Sequence, residues 1–152
     1  MQIGDTAPNF TLPDQNKEPV RLSDLRGKRV VVAFHPFAFT GICDDDLCGL
    51  RDDLDDLRAL NAEVLVVSPD SPFVHKRWAD EQGFDFRYLS DYWPHGEAAR
   101  SFGVLNEALG VPFRSTFVID EEGVVRFADV QDSHPGEARD VAVIRKALEE
   151  LG

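Results

Sequence analysis

Apolar positions along this chain fall into two kinds of run. The first kind is short and unbroken: Val30-Val31-Val32-Ala33-Phe34 within Arg29–Phe34, and Val64-Leu65-Val66-Val67 within Ala62–Val67. Unbroken apolar runs of this length are the mark of strands covered on both faces, as in a parallel sheet between helices. The second kind is spaced by three and four. Leu47, Leu50, Leu54 and Leu57 lie on one face of a helix predicted over Cys43–Leu60, with Asp residues filling the other face. Val141, Ile144, Leu148 and Leu151 do the same in a closing helix predicted over Glu137–Leu151.

Turn and cap residues divide the rest. Asn9–Leu12 and Pro19–Leu22 read as short strands around Pro13-Asp14-Gln15-Asn16, and Ser23 starts a turn that ends at Gly27. Pro36–Gly41 reads as a loop, and Pro72–Gln82 as a helix stopped by Gly83. Phe86–Ser90 is a further strand and Glu97–Phe102 a short helix. Ser115–Ile119 and Val124–Val130 form a hairpin around Asp120-Glu121-Glu122-Gly123. This order predicts one α/β layered domain over residues 1–152, with an N-terminal β-hairpin and the first two central strands parallel through a right-handed crossover. A thioredoxin-like fold, with a central mixed sheet flanked by helices, fits the order, although order alone does not single it out.

Composition narrows the function classes. The net charge of -12, from 28 acidic and 16 basic side chains, argues against nucleic acid or an anionic membrane as a partner. It reads as a solvated acidic surface or as adaptation to high salt. No apolar run approaches the roughly 20 residues that span a bilayer. Met1–Phe10 lacks a basic segment followed by an apolar one, so a cytoplasmic location is expected. In such a reducing compartment two cysteines are more often redox-active than structurally bridged.

The chemistry concentrates in Phe34-His35-Pro36-Phe37-Ala38-Phe39-Thr40-Gly41-Ile42-Cys43, where a buried strand runs through a loop into the first turn of a helix. Helix N-termini carry unpaired N–H groups and partial positive charge, which stabilise a thiolate and activate Cys43. Pro36, Thr40 and Cys43 make the pattern Pro-x-x-x-Thr-x-x-Cys. On this motif the chain resembles the peroxiredoxins. The segments Phe37–Cys43, Ser90–Gly96 and Arg114–Asp120 are similar to the alkyl hydroperoxide reductase E branch, and Gly4–Leu12 is similar to the wider family.

The resemblance implies a peroxiredoxin fold and a thiol-dependent peroxidase without a cofactor, acting on hydrogen peroxide and organic hydroperoxides. It implies that Cys43 attacks the terminal peroxide oxygen and becomes a sulfenic acid. Thr40 would hydrogen-bond the peroxide, Pro36 would shield the thiolate, and Arg114 would lower the thiol pKa and orient the substrate. Phe37, Phe39 and Ile42 would line an apolar collar or fill a dimer contact; a homodimer is expected. The family often has Glu three residues after the cysteine, paired with the Arg, whereas this chain has Asp46, one carbon shorter.

Cys48 lies five residues after Cys43. On an intact helix that separates the Cα atoms by roughly 8 to 9 Å, beyond the reach of a disulfide, so a bridge requires unwinding. The spacing matches the resolving cysteine of the bacterioferritin-comigratory branch. The resemblance therefore implies that Cys48 resolves the sulfenic acid as an intramolecular disulfide, reduced by thioredoxin or another thiol. The alternatives are a core cysteine with an external low-molecular-weight thiol as resolver, and a non-enzymatic redox sensor. A disulfide oxidoreductase would want Cys-x-x-Cys, which is absent, and Cys-x4-Cys without a neighbouring His is weak evidence for zinc. His35 stands where the family usually has an aromatic residue and is expected to pack, with tuning of the thiolate as the alternative; Trp78 and Trp93 are expected as core or pocket-wall residues.

Overall fold

The computed structural model describes residues 1–132 and 139–152, with residues 41–44 described by their backbone only. The chain opens with a hairpin of β1 (Thr11–Pro13) and β2 (Pro19–Arg21), then one turn of 3-10 helix over Leu22–Leu25. β3 (Arg29–Phe34) leads through a loop into α1 (Gly41–Asp52) and α2 (Leu54–Ala59). β4 (Ala62–Ser68), α3 (Pro72–Gln82), β5 (Arg87–Ser90) and α4 (Glu97–Ser101) follow. A small ribbon of β6 (Leu105–Asn106) and β7 (Val111–Pro112) precedes β8 (Arg114–Ile119), β9 (Val125–Gln131) and α5 (Val141–Glu149).

The central sheet runs β5-β4-β3-β8-β9. β3, β4 and β5 are parallel, as expected for the first two, and β8 and β9 return antiparallel. The sheet is therefore mixed, in the thioredoxin-like arrangement. β3 at its centre is buried at all six positions, and its alternation sorts the core into two layers. Val31 and Ala33 meet Leu47, Leu50, Leu54 and Leu57 from α1 and α2, Trp78 from α3, and Ile144 and Leu148 from α5. Val30, Val32 and Phe34 face the other way, against Phe102, Phe117, Leu89 and the hairpin residues Leu12 and Val20. Each of the fully covered Leu and Phe side chains contributes roughly 1.5 to 3 kcal/mol of transfer free energy.

Several boundaries differ from those predicted. The helix predicted over Cys43–Leu60 starts two residues earlier, at Gly41, and is interrupted at Asp53 (φ -100°, ψ 8°). Its backbone bonding continues through the interruption, from Asp53 N–H to the Gly49 carbonyl and from Leu57 N–H to the Asp53 carbonyl. The apolar spacing runs unbroken across the joint, because Leu54 and Leu57 must still reach the core. Pro13, predicted in the turn, closes β1 instead. The turn is held by Asp14 Oδ1, which accepts from Asn16 N–H (2.8 Å) and Glu18 N–H (3.0 Å). The β6–β7 ribbon was not predicted. The closing helix begins at Val141, with Asp140 accepting from Ala142 N–H as its cap. The earlier part of the predicted span, residues 137–138, lies outside the described residues. Trp78 is buried as expected, but Trp93 is 76% exposed. Among the described residues no helix is long and apolar enough to cross a membrane.

Candidate active site

Four sequence-distant segments meet at the C-terminal end of β3: the loop after that strand, the first turns of α1, the start of β8, and the residues just before α5. Cys43 lies in the first turn of α1. Thr40 occupies the N-cap position with extended backbone (φ -105°, ψ 150°), yet its side chain makes no capping bond. Its hydroxyl donates instead to the Phe37 carbonyl at 3.3 Å. The amides of the first turn are thus not consumed by their own cap. Pro36 is half-buried and Thr40 exposed. Phe37 and Phe39 are 48% and 53% exposed. Phe39 has a positive φ of 64°, a conformation that costs a bulky residue about 1 to 3 kcal/mol, and its ring is held against Trp78 at 5.2 Å. The side chains of Ile42 and Cys43 lie outside the described residues.

Arg114, at the first position of β8, is buried and brings its guanidinium to α1, with Nε 3.9 Å from Asp46 Oδ2. The short Asp arm therefore still meets this arginine, but its main partner is Arg139, which sequence reasoning missed. Arg139 Nε donates to Asp46 Oδ1 at 2.6 Å and Nη2 to Asp46 Oδ2 at 2.8 Å, a two-pronged pair. Nη1 donates to the Ser115 carbonyl (2.7 Å) and Thr116 Oγ1 (3.0 Å), and Nη2 also to the Phe34 carbonyl (2.8 Å). All five donors of the guanidinium are engaged. Among the described residues this group brings two guanidinium groups and one carboxylate together beside the helix N-terminus. A nearby anion is favoured there by Coulomb attraction as well as by the helix dipole.

A second buried polar group supports the loop from below. His35 and His75 are fully buried. Tyr88 Oη is 2.7 Å from His35 Nε2, and the Tyr88 ring stacks on His75 at 3.6 Å. Ser68 Oγ lies 2.6 Å from His75 Nε2 and donates to Asp70 Oδ2 at 2.8 Å. Its one proton is committed to the carboxylate, so His75 must be the donor in the other bond. Burial pushes the His75 pKa from the usual 6.5 down to about 3. Burial likewise holds His35 well below that value, reinforced by the charges of Arg139, His75 and Arg114. The packing role expected for His35 is met, but by a hydrogen-bonded imidazole rather than an inert ring. Cys48 is half-buried against the α1-side core, its Sγ 3.8 Å from Gln82 Oε1. Among the described residues no group of His, Cys, Asp and Glu has metal-binding geometry.

Two tests follow from these contacts. Asp46→Ala strands a buried guanidinium and is expected to cost about 3 to 5 kcal/mol of unfolding free energy in urea titrations. The double change Asp46→Leu with Arg139→Met is expected to recover most of that loss, because neither charge is then left alone. The second test concerns acid. A histidine whose pKa is depressed in the fold contributes stability that is present above the unfolded value of 6.5 and lost as pH falls below it. Between pH 6.5 and 5, His75 is expected to cost about 1.5 kcal/mol, and His35 adds a loss of the same sign. Urea midpoints measured across that range check this, and His75→Gln should flatten the slope.

Comparison with known proteins agrees with this architecture. The AhpC/TSA family description matches residues 3–128. "Alkyl hydroperoxide reductase E" of Mycobacterium tuberculosis is 45% identical over 152 residues, covering 99% of this chain and 98% of that protein. "Peroxiredoxin Bcp" of Escherichia coli is 37% identical over 142 residues, covering 88% of this chain and 90% of that protein. Among solved structures, peroxidoxin BcpB from Mycobacterium tuberculosis superposes with a TM-score of 0.89 at 31% identity, covering 100% of this chain and 99% of that one. A family match over most of the chain and a relative alike along nearly its whole length place this protein in the AhpC/TSA family, as a thiol-dependent peroxidase of the peroxiredoxin type on the alkyl hydroperoxide reductase E and Bcp-like branch.

Proposed function

We propose that Cys43 is the peroxidatic nucleophile, and that residues 1–152 act as one catalytic domain reducing hydrogen peroxide and organic hydroperoxides. The observation that carries this reading is the charge arrangement around the first turn of α1. Arg139 binds the Asp46 carboxylate through two short bonds, and the Arg114 guanidinium lies beside the same turn, where its field acts in the same direction as the helix dipole. Asp45 is exposed and opposes an anion only through solvent. A thiolate in that turn attacks the terminal oxygen of ROOH in line. The S–O bond forms as the O–O bond breaks, sulfur is oxidised to the sulfenic acid with the transferred OH, and RO⁻ leaves and takes a proton from solvent, giving the alcohol or, for hydrogen peroxide, water.

The remaining roles follow the same geometry. The Thr40 hydroxyl and the first-turn amides bind the peroxide oxygens, Arg114 orients the substrate, and Pro36 limits water at the sulfur. Phe37, Phe39 and Ile42 form the apolar rim, and the exposed faces of Phe37 and Phe39 suit either an organic substituent or the contact of a homodimer. Cys48 serves as resolving thiol. Because α1 is continuous from Gly41 to Asp52, the two cysteines bridge only after this helix unwinds. A thioredoxin-like protein or a small thiol then reduces the bridge, in the reducing setting of the cytoplasm.

Stopped-flow tryptophan fluorescence with hydrogen peroxide and an organic hydroperoxide tests the nucleophile. Cys43→Ser is expected to abolish the oxidation signal and turnover, and a variant that clears peroxide at the parent's rate overturns the assignment. Mass spectrometry after one equivalent of peroxide tests Cys48. The parent is expected to lose two hydrogens as a Cys43–Cys48 bridge, whereas Cys48→Ser should hold a sulfenic acid. A parent that also holds only a sulfenic acid removes the resolving role.

A further inference from the structure

The loop that delivers Thr40 and Cys43 is gripped at one peptide group. The Phe37–Ala38 peptide is held at both ends by side chains, one of them from outside the loop. Its N–H, from Ala38, donates to Asp70 Oδ2 at 2.7 Å. Its carbonyl, from Phe37, accepts the Thr40 hydroxyl at 3.3 Å. The His35 ring also hydrogen-bonds the Phe37 backbone, and since that bond favours the charged ring, the acceptor is the same carbonyl. The ring proton then lies on the nitrogen facing Phe37, which leaves Nε2 to accept from Tyr88 Oη at 2.7 Å. Tyr88 is itself fully buried and stacked on His75, which the Ser68–Asp70 pair holds in turn. The chain of contacts thus closes on itself, from Asp70 through Ser68, His75, Tyr88 and His35 back to the one peptide that Asp70 also holds.

We propose that His35 is a positioning residue for peroxide binding: with Tyr88 and Asp70 it fixes the Phe37–Ala38 peptide, and that carbonyl aims the Thr40 hydroxyl. The hydroxyl has one proton. Donated to a fixed carbonyl, that proton leaves the Thr40 oxygen presenting its lone pairs to the O–H of a bound hydroperoxide. A carbonyl free to rotate would let the hydroxyl turn and donate elsewhere, and the acceptor would be lost from the site. An inert aromatic ring at position 35 would fill the same space without this hold. His35 acts on the substrate only through Thr40, and the inference rests on the peroxidase reading above.

The test is a double-mutant cycle on the rate of Cys43 oxidation by hydrogen peroxide, with alkylation of Cys43 by iodoacetamide as a second readout. His35→Phe is expected to slow oxidation by about tenfold when Thr40 is present and by less than about twofold in a Thr40→Val background. Alkylation, which needs the thiolate but no peroxide site, should stay within about twofold of the parent in every variant. Should His35→Phe unfold, Tyr88→Phe removes a single oxygen, keeps the stacked ring and is expected to show the same dependence on Thr40 at about threefold. Oxidation factors that simply multiply, or alkylation that falls in parallel with oxidation, overturn the positioning role while leaving the peroxidase intact. A parent Cys43 that peroxide oxidises no faster than free cysteine overturns the peroxidase reading itself, and the proposal with it.

Discussion

A carboxylate with no access to water has to find its counter-charge within the fold, and Asp46 finds it in a guanidinium 93 residues further along the chain. Taking both charges out of water costs several kcal/mol, so the pair is no simple source of stability. What it supplies is position. Arg139 bonds Asp46 on α1, the Phe34 carbonyl at the end of β3, and Ser115 and Thr116 on β8. One planar fork with a fixed set of donor directions therefore sets the spacing between three elements that converge on the site. The strand ends, the cysteine-bearing helix and the strand carrying Arg114 cannot shift relative to one another without breaking charge-assisted bonds in a dry interior.

The two sides of the site are held by different means. Beneath α1 the grip is ionic. Beneath the loop from Pro36 to Thr40 it is a neutral network of imidazole, phenol and hydroxyl groups that ends on Asp70. The neutrality has a cause. Burial, together with the two nearby arginines, makes a charged His35 unfavourable. On the proposed reading, a second cation there would add its own field to the one assigned to Arg114 at the thiolate. A neutral ring can hydrogen-bond the loop without adding a charge near the sulfur, so on that reading support and activation fall to separate groups.

Much of this was legible in the sequence, and the limits have physical reasons. The unbroken run from Val30 to Phe34 marked the central strand because burial on both faces leaves no polar position to interrupt it. The motif of Pro36, Thr40 and Cys43 was legible because its spacing is local. The interruption at Asp53 was not, since Leu50, Leu54 and Leu57 keep helical spacing through the joint. Neither was the β6–β7 ribbon, whose two-residue strands are too short to show any period. Arg139 was invisible for a different reason. A lone arginine between Ala138 and Asp140 has the look of a surface charge, and only the tertiary fold brings it to Asp46. His35 stood out as a polar residue in a place of packing, but its partner Tyr88 lies 53 residues away and carried no local signal.

The ionic grip also bears on how the two cysteines communicate. Between Cys43 and Cys48 lie Asp46 and Leu47, both closed off from solvent. For Cys48 to resolve Cys43 as proposed, this stretch of α1 has to unwind, which carries Leu47 out of the core and pulls Asp46 away from Arg139. Those two losses together are on the order of 5 kcal/mol. That is a large share of the roughly 5 to 15 kcal/mol by which a domain of this kind is stable at all. If Cys48 resolves as proposed, the barrier to resolution lies in the helix rather than in the thiol chemistry, and a sulfenic acid at Cys43 would persist while Asp46 stays in place. On that proposal, the pair that holds α1 in place for oxidation also sets the delay before the bridge can close.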